Sequence, residues 1–171
     1  MKIPKAYKDA LKSKARYLIL YGGSGAGKSE FVARKVVIRC LQAPEKILVI
    51  RKYGTTLNQS VIATIKAILN DEEVPYKENR TERTIKILDS EIIFTGLDDP
   101  EKMKSIKGIT SVWIEEASEI NRDELIQIDL RLRGDTPSYK QIALTFNPVV
   151  GALWIKDFIG FFYLVEVNIS R

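Results

Sequence analysis

The sequence predicts a three-layer α/β fold, in which helices cover both faces of a mainly parallel central sheet. Short apolar runs alternate along the chain with stretches of helical periodicity, and the first run leads into a glycine-rich turn. Apolar runs bounded by turn residues are typical of strands that are buried on both faces of a parallel sheet. The 171 residues, 45% hydrophobic and 29% charged, suffice for one such domain with a packed core.

The apolar runs and the helical periodicities define the predicted elements in order. Strands are predicted at residues 17–21, 46–51, 111–116 and 141–146, with a last strand at 164–169. Helices are predicted at residues 28–41, from Thr55 or Thr56 to about Asn70, and at 122–133, with a short basic helix or loop at 5–14. Asn121 is the expected cap of the third long helix and Gly134 its end.

Residues 83–95 depart from this alternation. Two runs of alternating apolar and polar residues, 83–88 and 91–95, flank a short polar turn. This pattern predicts a β-hairpin. Because it interrupts the strand–helix rhythm, we expect it to be an insertion at an edge or a face of the sheet.

The turn after the first strand carries the strongest chemical signal. Residues 22–29 fit the pattern G-x-x-x-x-G-K-[ST] of a phosphate-binding loop, here called the P-loop. Its residues are Gly22, Gly23, Ser24, Gly25, Ala26, Gly27, Lys28 and Ser29. The glycines let the backbone approach a phosphate closely, and the loop amides point at the anion. Lys28 adds a positive charge near the β- and γ-phosphates, and Ser29 adds a hydroxyl for Mg²⁺.

The predicted strand at 111–116 ends in two adjacent carboxylates, Glu115 and Glu116. A parallel strand would bring both to the same edge of the sheet as the P-loop. Because successive side chains of a strand point to opposite faces, we expect the two acids to have different roles. Glu115 is placed to hold Mg²⁺, and Glu116 is placed to polarise the attacking water of a phosphoryl-transfer reaction.

Two further positions keep alternative interpretations at this stage. Asn147 ends the strand at 141–146, where it is either a contact to the γ-phosphate or the attacking water, or an ordinary turn residue before Pro148. Tyr7 and Tyr17 are either candidates to pack on adenine or a surface and a core tyrosine.

The composition excludes several classes of site. The chain has no histidine and one cysteine, Cys40, so histidine bases, an internal disulfide and a cysteine-cluster zinc site are excluded. The net charge of +5 is compatible with a nucleic-acid partner without being diagnostic of one. No apolar run is long enough for a membrane span, so we expect a cytoplasmic protein without a membrane partner.

The acidic strand lies two predicted strands beyond the P-loop strand in the sequence. This separation predicts the additional-strand, RecA-like class of P-loop NTPases, in which another strand lies between the two. The second acid, Glu116, favours the same class, because small-molecule kinases with a P-loop usually lack it.

Four segments together resemble the ATPase domain of tailed-bacteriophage terminase large subunits, in particular the PBSX-like group. They are residues 22–29, Val112–Ala117, Leu130–Gly134 and Leu144–Pro148. The resemblance extends over about residues 15–158. It implies that Lys28 and Ser29 bind phosphate and Mg²⁺, that Glu115 is the metal ligand and Glu116 the catalytic base, and that residues 145–147 couple nucleotide state to movement.

The resemblance also implies a biological setting. Such a domain hydrolyses ATP, with Mg²⁺, to move double-stranded DNA into a procapsid. Its expected partners are the portal protein, the small terminase subunit and further copies of itself in a ring, typically a pentamer, although the isolated chain is expected to be able to exist as a monomer. The expected location is the host cytoplasm and not the mature virion. We expect residues 1–171 to form a single ATPase domain without the nuclease domain of large terminases, and therefore without DNA cleavage.

The sequence departs from the family pattern at two positions. Ser24 stands where many terminases have an arginine in the loop, and Lys107-Gly108 stands where many have Arg-Gly before the acidic strand. Lysine lacks the bidentate fork of arginine. The cation that acts across the subunit interface is therefore either Lys107 or one of four arginines: Arg51, Arg122, Arg131 and Arg133.

Two other functions remain open at this stage. A RecA-like helicase or DNA-repair ATPase would share the fold, whereas a nucleotide-dependent assembly switch would bind ATP with little turnover. The segments at 112–117 and 144–148 favour the terminase over the first alternative. Glu116 argues against the second, because a switch does not need this acid.

Overall fold

A computed structural model describes residues 1–148, 153–159 and 164–166, and for residues 58, 153, 156, 159 and 164–166 it describes the backbone alone. Its strands are β1 Tyr17–Tyr21, β2 Lys46–Arg51, β3 Lys77–Asn79, β4 Thr84–Ile87, β5 Ser90–Gly96, β6 Ser111–Glu115, β7 Gln141–Phe146 and β8 Leu164–Glu166. Its α-helices are α1 Lys8–Lys12, α2 Lys28–Gln42, α3 Ala63–Asp71, α4 Pro100–Ser105, α5 Arg122–Asp129 and α6 Leu153–Ile159. None of these helices is long and apolar enough to cross a membrane.

The described strands form one sheet in the order β3-β4-β5-β2-β6-β7-β1-β8. All pairings from β5 to β8 are parallel, and only β3–β4 and β4–β5 are antiparallel. Strand β7 lies between the P-loop strand β1 and the acidic strand β6, which confirms the prediction of an additional strand. The fold class predicted from the sequence is confirmed.

Two apolar clusters, one on each face of the sheet, make the three layers. One contains Phe31 of α2 and Ile65 of α3, together with Trp113 from β6. The other contains Leu125 of α5 and residues such as Leu144 of β7 that point to the opposite face. The four central strands are buried along almost their whole length, which explains why they read as continuous apolar runs.

The predicted hairpin exists, but it belongs to the central sheet. Strand β5 pairs antiparallel with β4 and, along its other side, parallel with all six residues of β2. It is therefore a full member of the parallel sheet, and β4 and β3 extend that sheet to its edge. The alternation of residues 91–95 predicted the hairpin and could not show that β5 also pairs with β2.

The helix expected from Thr55 or Thr56 to Asn70 is irregular at its start. A 3₁₀ turn at Gly54–Thr56 and a π-helical turn at Asn58–Ile62 precede the regular helix α3. The apolar side chains at 61, 62, 65, 68 and 69 still face the core, which is why the periodicity looked continuous.

The third long helix is shorter than predicted. Asn121 caps α5 through a capping box with Glu124, as expected, but the helix ends at Asp129 and not at residue 133. The chain then turns so that the amide of Gly134 donates to the carbonyl of Ile109 at 2.7 Å. A Cβ atom at position 134 would lie 2.1 Å from the carbonyl oxygen of Gly108, so only glycine fits here. Of the last predicted strand, 164–169, residues 164–166 form β8 and the rest lies outside the described residues.

Besides Lys28 in its first turn, helix α2 carries two buried cations. Arg39 forms an ion pair with Glu45 at 2.7 Å and stacks on the ring of Tyr139 at 4.1 Å. Lys35 is 3% exposed and donates to the carbonyl oxygens of Ala10 and Ser13 at 2.8 Å each. Burial, assisted by the nearby charge of Arg39, lowers the pKa of Lys35 to about 7.

Lys35 should make the stability of the fold depend on pH. Because its pKa is lower in the folded state, the unfolded chain binds more protons above pH 7, and stability rises as the pH rises through that range. We expect urea unfolding to show a gain of about 1–2 kcal/mol between about pH 7 and 8.5 that is absent in Lys35→Met. Equal pH dependence in the two proteins would contradict this origin.

Candidate active site

The P-loop connects the carboxyl end of β1 to the first turn of α2. Gly25 and Gly27 have φ angles of +80° and +77°, the left-handed region that favours glycine. Gly27 directly precedes α2, so the first amides of that helix point out of the loop. The glycine spacing of the motif thus sets a backbone cradle at the amino end of a 15-residue helix.

The amine of Lys28 lies across this cradle. It donates to the carbonyl oxygens of Gly22 and Gly23, each at 2.9 Å, and to the side-chain oxygen of Asn147 at 3.2 Å. Burial lowers the pKa of Lys28, while the negative charge of Glu116 opposes that shift. Asn147 therefore belongs to the site, and its contact with Lys28 argues against a simple turn residue.

Glu115 lies at the end of β6, beside the first turn of α2. The hydroxyl of Ser29 donates to Glu115 Oε1 at 3.4 Å, and the carboxylate is 8% exposed. Arg51 Nε, from the end of β2, lies 3.0 Å from Glu115 Oε2. Burial raises the pKa of Glu115, the charge of Arg51 lowers it, and the charge of Glu116 raises it again.

The Ser29–Glu115 pair fits a hard divalent cation. Glu115 Oε2 and Arg51 Nε are close, but neither has a hydrogen-bond partner among the described residues, because the N–H group does not point at the oxygen. A buried carboxylate oxygen without a donor, next to a hydroxyl, is a suitable ligand pair for Mg²⁺. No cluster of three or more metal-binding side chains is found in the described part of the chain. Such a cluster is not required, because Mg²⁺ needs only one or two protein ligands when substrate phosphates and water complete its coordination.

Glu116 does not continue the strand. It adopts the left-handed conformation, with φ +55° and ψ +49°, immediately after β6. The prediction that the two acids point to opposite faces assumed that Glu116 continues the strand. That assumption is wrong. The charge of Glu116 acts on both Lys28 and Glu115, so it faces the same site. A non-glycine residue in this conformation costs about 1–2 kcal/mol, which the surrounding structure must offset.

Arg51 is the site residue that the sequence identified least clearly. It was one of several candidate cations, and the structure places it in the site of its own subunit, against Glu115. Its guanidinium also donates to Ser60 Oγ at 3.4 Å. The available signal was its position at the carboxyl end of a parallel strand, where ligands bind in open α/β sheets.

Lys107, Arg131 and Arg133 lie at the opposite edge of the sheet. Gly108 approaches the side chain of Lys46, the first residue of β2, and Gly134 is hydrogen-bonded to Ile109. Lys107 and Arg133 are exposed and Arg131 is half-buried. None of the three reaches the P-loop of its own subunit. The fourth candidate, Arg122, stacks on Phe158 at 4.6 Å.

Neither tyrosine proposed for adenine has a free ring face there. Tyr7 is 1% exposed, its ring stacks on Phe31 at 4.4 Å, and its hydroxyl donates to the carbonyl of Ala26 in the P-loop at 2.6 Å. Tyr17 is buried within β1. A cleft of about 420 Å³ does open beside Gly27; its lining residues are Lys2, Ile3, Pro4, Gly27, Glu30, Phe31 and Arg34.

Comparison with known proteins identifies the family. Residues 14–162 match the family model described as phage terminase large subunit. This chain belongs to that family. The PBSX phage terminase large subunit of Bacillus subtilis (strain 168) is 30% identical over 141 residues, which are 81% of this chain and 32% of that protein. The large terminase subunit of Bacillus phage SPP1 is 30% identical over 118 residues, 64% of this chain and 28% of that protein.

Solved structures show the same fold. The large terminase of a thermophilic bacteriophage has a TM-score of 0.76 at 17% identity, over 96% of this chain and 43% of that chain. The N-terminal domain of the DNA packaging ATPase from bacteriophage phi29 has a TM-score of 0.65 at 15% identity, over 88% of this chain and 84% of that chain. The same thermophilic-phage terminase has also been solved with ADP and with ATP-gamma-S.

The match corresponds to the ATPase-domain region of a PBSX-like large subunit, as the resemblance in the sequence predicted. This chain spans about a third of the length of the curated relatives it matches.

The P-loop geometry predicts different effects for two glycines. Gly27 has a left-handed φ angle, whereas Gly23 does not, and a Cβ atom meets no neighbour within 4 Å at either position. Gly27→Ala should therefore lower the free energy of unfolding by about 1–2 kcal/mol. Gly23→Ala serves as the matched control and should be neutral or stabilising by about 0.4–1 kcal/mol. Urea unfolding measures both, and an equal loss in the two variants would contradict the loop geometry.

Proposed function

We propose that this chain is the ATP-hydrolysing motor domain of a phage DNA-packaging terminase, which couples ATP hydrolysis to translocation of double-stranded DNA into a procapsid. The observation that supports this most is the contact of two sequence-distant motifs at one edge of the sheet. Ser29 touches Glu115, and Lys28 touches Asn147. A phosphate cradle, a buried carboxylate and a second acid then surround one small space.

Binding begins at the P-loop. The loop amides and the amino end of α2 accept the phosphates, and the Lys28 amine exchanges its two carbonyl partners for phosphate oxygens. The cleft beside Gly27 takes the base and ribose, with Pro4 and Arg34 among its lining residues. This placement replaces the expectation that Tyr7 or Tyr17 stacks on adenine.

Ser29 and Glu115 would hold Mg²⁺, which on binding neutralises the β- and γ-phosphate oxygens. The charge of Arg51 keeps the Glu115 carboxylate available for this role, because it opposes the rise in pKa that burial causes. Arg51 also brings a cation to the site within the same subunit. It supplies the positive charge that Ser24 does not provide.

Glu116 accepts the proton of the attacking water. With no histidine in the chain, a carboxylate is the available general base near the γ-phosphate. The left-handed conformation turns this residue out of the strand and toward Lys28 and Glu115. Positioning the water in line with the phosphate is the main catalytic requirement of phosphoryl transfer.

Asn147 reports the state of the nucleotide. When phosphate binds Lys28, the amine gives up or weakens its hydrogen bond to Asn147. The conformation at the end of β7 therefore depends on whether the γ-phosphate is present. The preceding Thr145 accepts from Trp113 Nε1 at 3.0 Å, which connects β7 to the core on the α2 face. Residues 145–147 are thus placed to transmit the change.

The biological partners follow from family membership and belong to this proposal. They are double-stranded DNA, the portal of the procapsid, the small terminase subunit and further copies arranged in a ring, typically of five, in the host cytoplasm. Terminase family membership favours this function over a helicase or a DNA-repair ATPase. Glu116 beside Lys28 disfavours a switch with little turnover.

Two substitutions should separate binding from hydrolysis. Glu116→Gln should lower the rate of ATP hydrolysis by about 10²–10⁴-fold and leave the Kd for ATP nearly unchanged, because it removes the base and keeps the cradle. Lys28→Ala should instead raise the Kd. A malachite-green phosphate assay and titration with a fluorescent ATP analogue measure these effects. Normal turnover in Glu116→Gln would refute the assignment of the base.

A mixing experiment should show whether Lys107 acts on a neighbouring subunit. Subunits with Lys28→Ala lack a working P-loop but still present Lys107, so they should restore ATPase activity to Lys107→Ala subunits. Arg51→Ala subunits are the matched control: their defect lies in their own site, so Lys28→Ala subunits should not rescue them. Rescue of Arg131→Ala or Arg133→Ala subunits, with none for Lys107→Ala, would move the role to the turn after α5.

A further inference from the structure

The net positive charge of the chain is concentrated at its amino-terminal end. Six of the 27 basic residues but only one of the 22 acidic residues lie within residues 1–16. This segment therefore carries a net charge of +5, equal to that of the whole chain, and the remaining residues contain 21 of each sign. The basic residues of this segment are Lys2, Lys5, Lys8, Lys12, Lys14 and Arg16.

These lysines form an exposed surface on a packed element. Residues 5–12 form a 3₁₀ turn followed by α1, with Tyr7 and Ala10 buried beneath. All five lysines of the segment are exposed, and none forms an ion pair with a carboxylate of the described residues. Arg16, in contrast, is held by Asp129 at 2.9 Å. Lys5, Lys8 and Lys12 follow helical spacing along the outer side.

Buried side chains connect the same segment to the P-loop and to helix α2. The Tyr7 hydroxyl donates to the Ala26 carbonyl in the P-loop, and the Tyr7 ring stacks on Phe31 of α2. One helical turn further along α2, the Lys35 amine holds the carbonyls of Ala10 and Ser13. A buried tyrosine and a buried lysine thus connect the segment that carries the exposed lysines to the P-loop and to α2.

We propose that the exposed lysines of residues 5–14 bind the phosphate backbone of double-stranded DNA and that Tyr7 passes this contact to the P-loop. The choice of DNA as the partner rests on the proposed function. The chemistry of the surface agrees with it, since lysines are typical of phosphate contacts and are depleted at the centres of protein–protein interfaces. The segment also has one exposed large apolar residue only, Met1, among its described side chains.

The attachment has a thermodynamic consequence. If DNA binding holds α1 more firmly against α2, it also steadies the P-loop conformation that ATP requires, and ATP must strengthen DNA binding by the same factor. DNA should therefore tighten ATP binding, and at ATP concentrations below KM it should stimulate hydrolysis to an extent that depends on both the lysines and Tyr7.

The test is the triple variant Lys5→Gln, Lys8→Gln, Lys12→Gln, which spares Lys2 because it lines the nucleotide cleft. Its control is the triple Lys77→Gln, Lys86→Gln, Lys104→Gln, which removes equal charge from exposed lysines elsewhere. Anisotropy of a fluorescein-labelled DNA duplex is measured over a range of salt concentrations. The first triple should reduce the magnitude of the negative slope of log K against log salt by about 2–3, because it loses about three phosphate contacts. The control should keep the wild-type slope.

The ATPase readouts make the proposal specific. Without DNA, the first triple should hydrolyse ATP at the wild-type rate, and with DNA it should lose the stimulation. Tyr7→Phe, which keeps the ring on Phe31 and removes the hydroxyl bond to Ala26, should bind DNA normally yet be stimulated less than half as much. Full stimulation of Tyr7→Phe would overturn the coupling through Tyr7.

Other outcomes distinguish this proposal from the proposed function. Equal salt slopes for wild type and the first triple, or equal losses in both triples, would overturn it. So would lysine-dependent binding to poly-L-glutamate that is tighter than binding to DNA, which would indicate an acidic protein partner. If the wild type binds DNA through these lysines but does not hydrolyse ATP, the result would contradict the ATPase assignment and still support the DNA-binding surface.

Discussion

The structure depends on one constraint, the parallel alignment of β1, β7, β6 and β2 in a shared register. Tyr21 pairs with Phe146, Glu115 with Thr145, and Ile50 with Ile114, so the four strands end at the same edge. The P-loop, Asn147, Glu115 and Arg51 therefore meet although up to 119 residues separate their positions in the chain. A slip of this register would separate the cradle from the carboxylates, so the buried apolar runs that fix the sheet also fix the chemistry.

Charge distribution divides the molecule by function. The edge with the P-loop holds a compact set of opposed charges, in which Lys28 and Arg51 face Glu115 and Glu116. Lys107 and Arg133 are exposed at the other edge, away from the P-loop of their own subunit. The amino-terminal lysines form a third region on the outside of α2. The domain thus presents separate surfaces for nucleotide, for a proposed neighbour and for proposed DNA, and α2 joins the first to the last.

Much of this could be predicted from the sequence, because the informative features are local. The central strands are buried on both faces, so their apolar runs gave their bounds closely, and the P-loop is a contiguous motif. The failures concern non-local or backbone effects. Pairing of β5 with β2, the early end of α5 against Gly108 and the left-handed turn at Glu116 all depend on tertiary contacts. The place of Arg51 beside Glu115 required the strand order before it could be chosen among five cations.

Hydrolysis of ATP at this site is the central claim, and the direct measurement is the rate of phosphate release against protein concentration, with Mg²⁺ and with or without double-stranded DNA. We predict a slow rate for dilute protein that rises more steeply than linearly with concentration and increases further with DNA, as expected if a neighbouring subunit supplies the proposed second cation. Absence of Mg²⁺-dependent hydrolysis at every concentration, in protein shown to be folded, would contradict it.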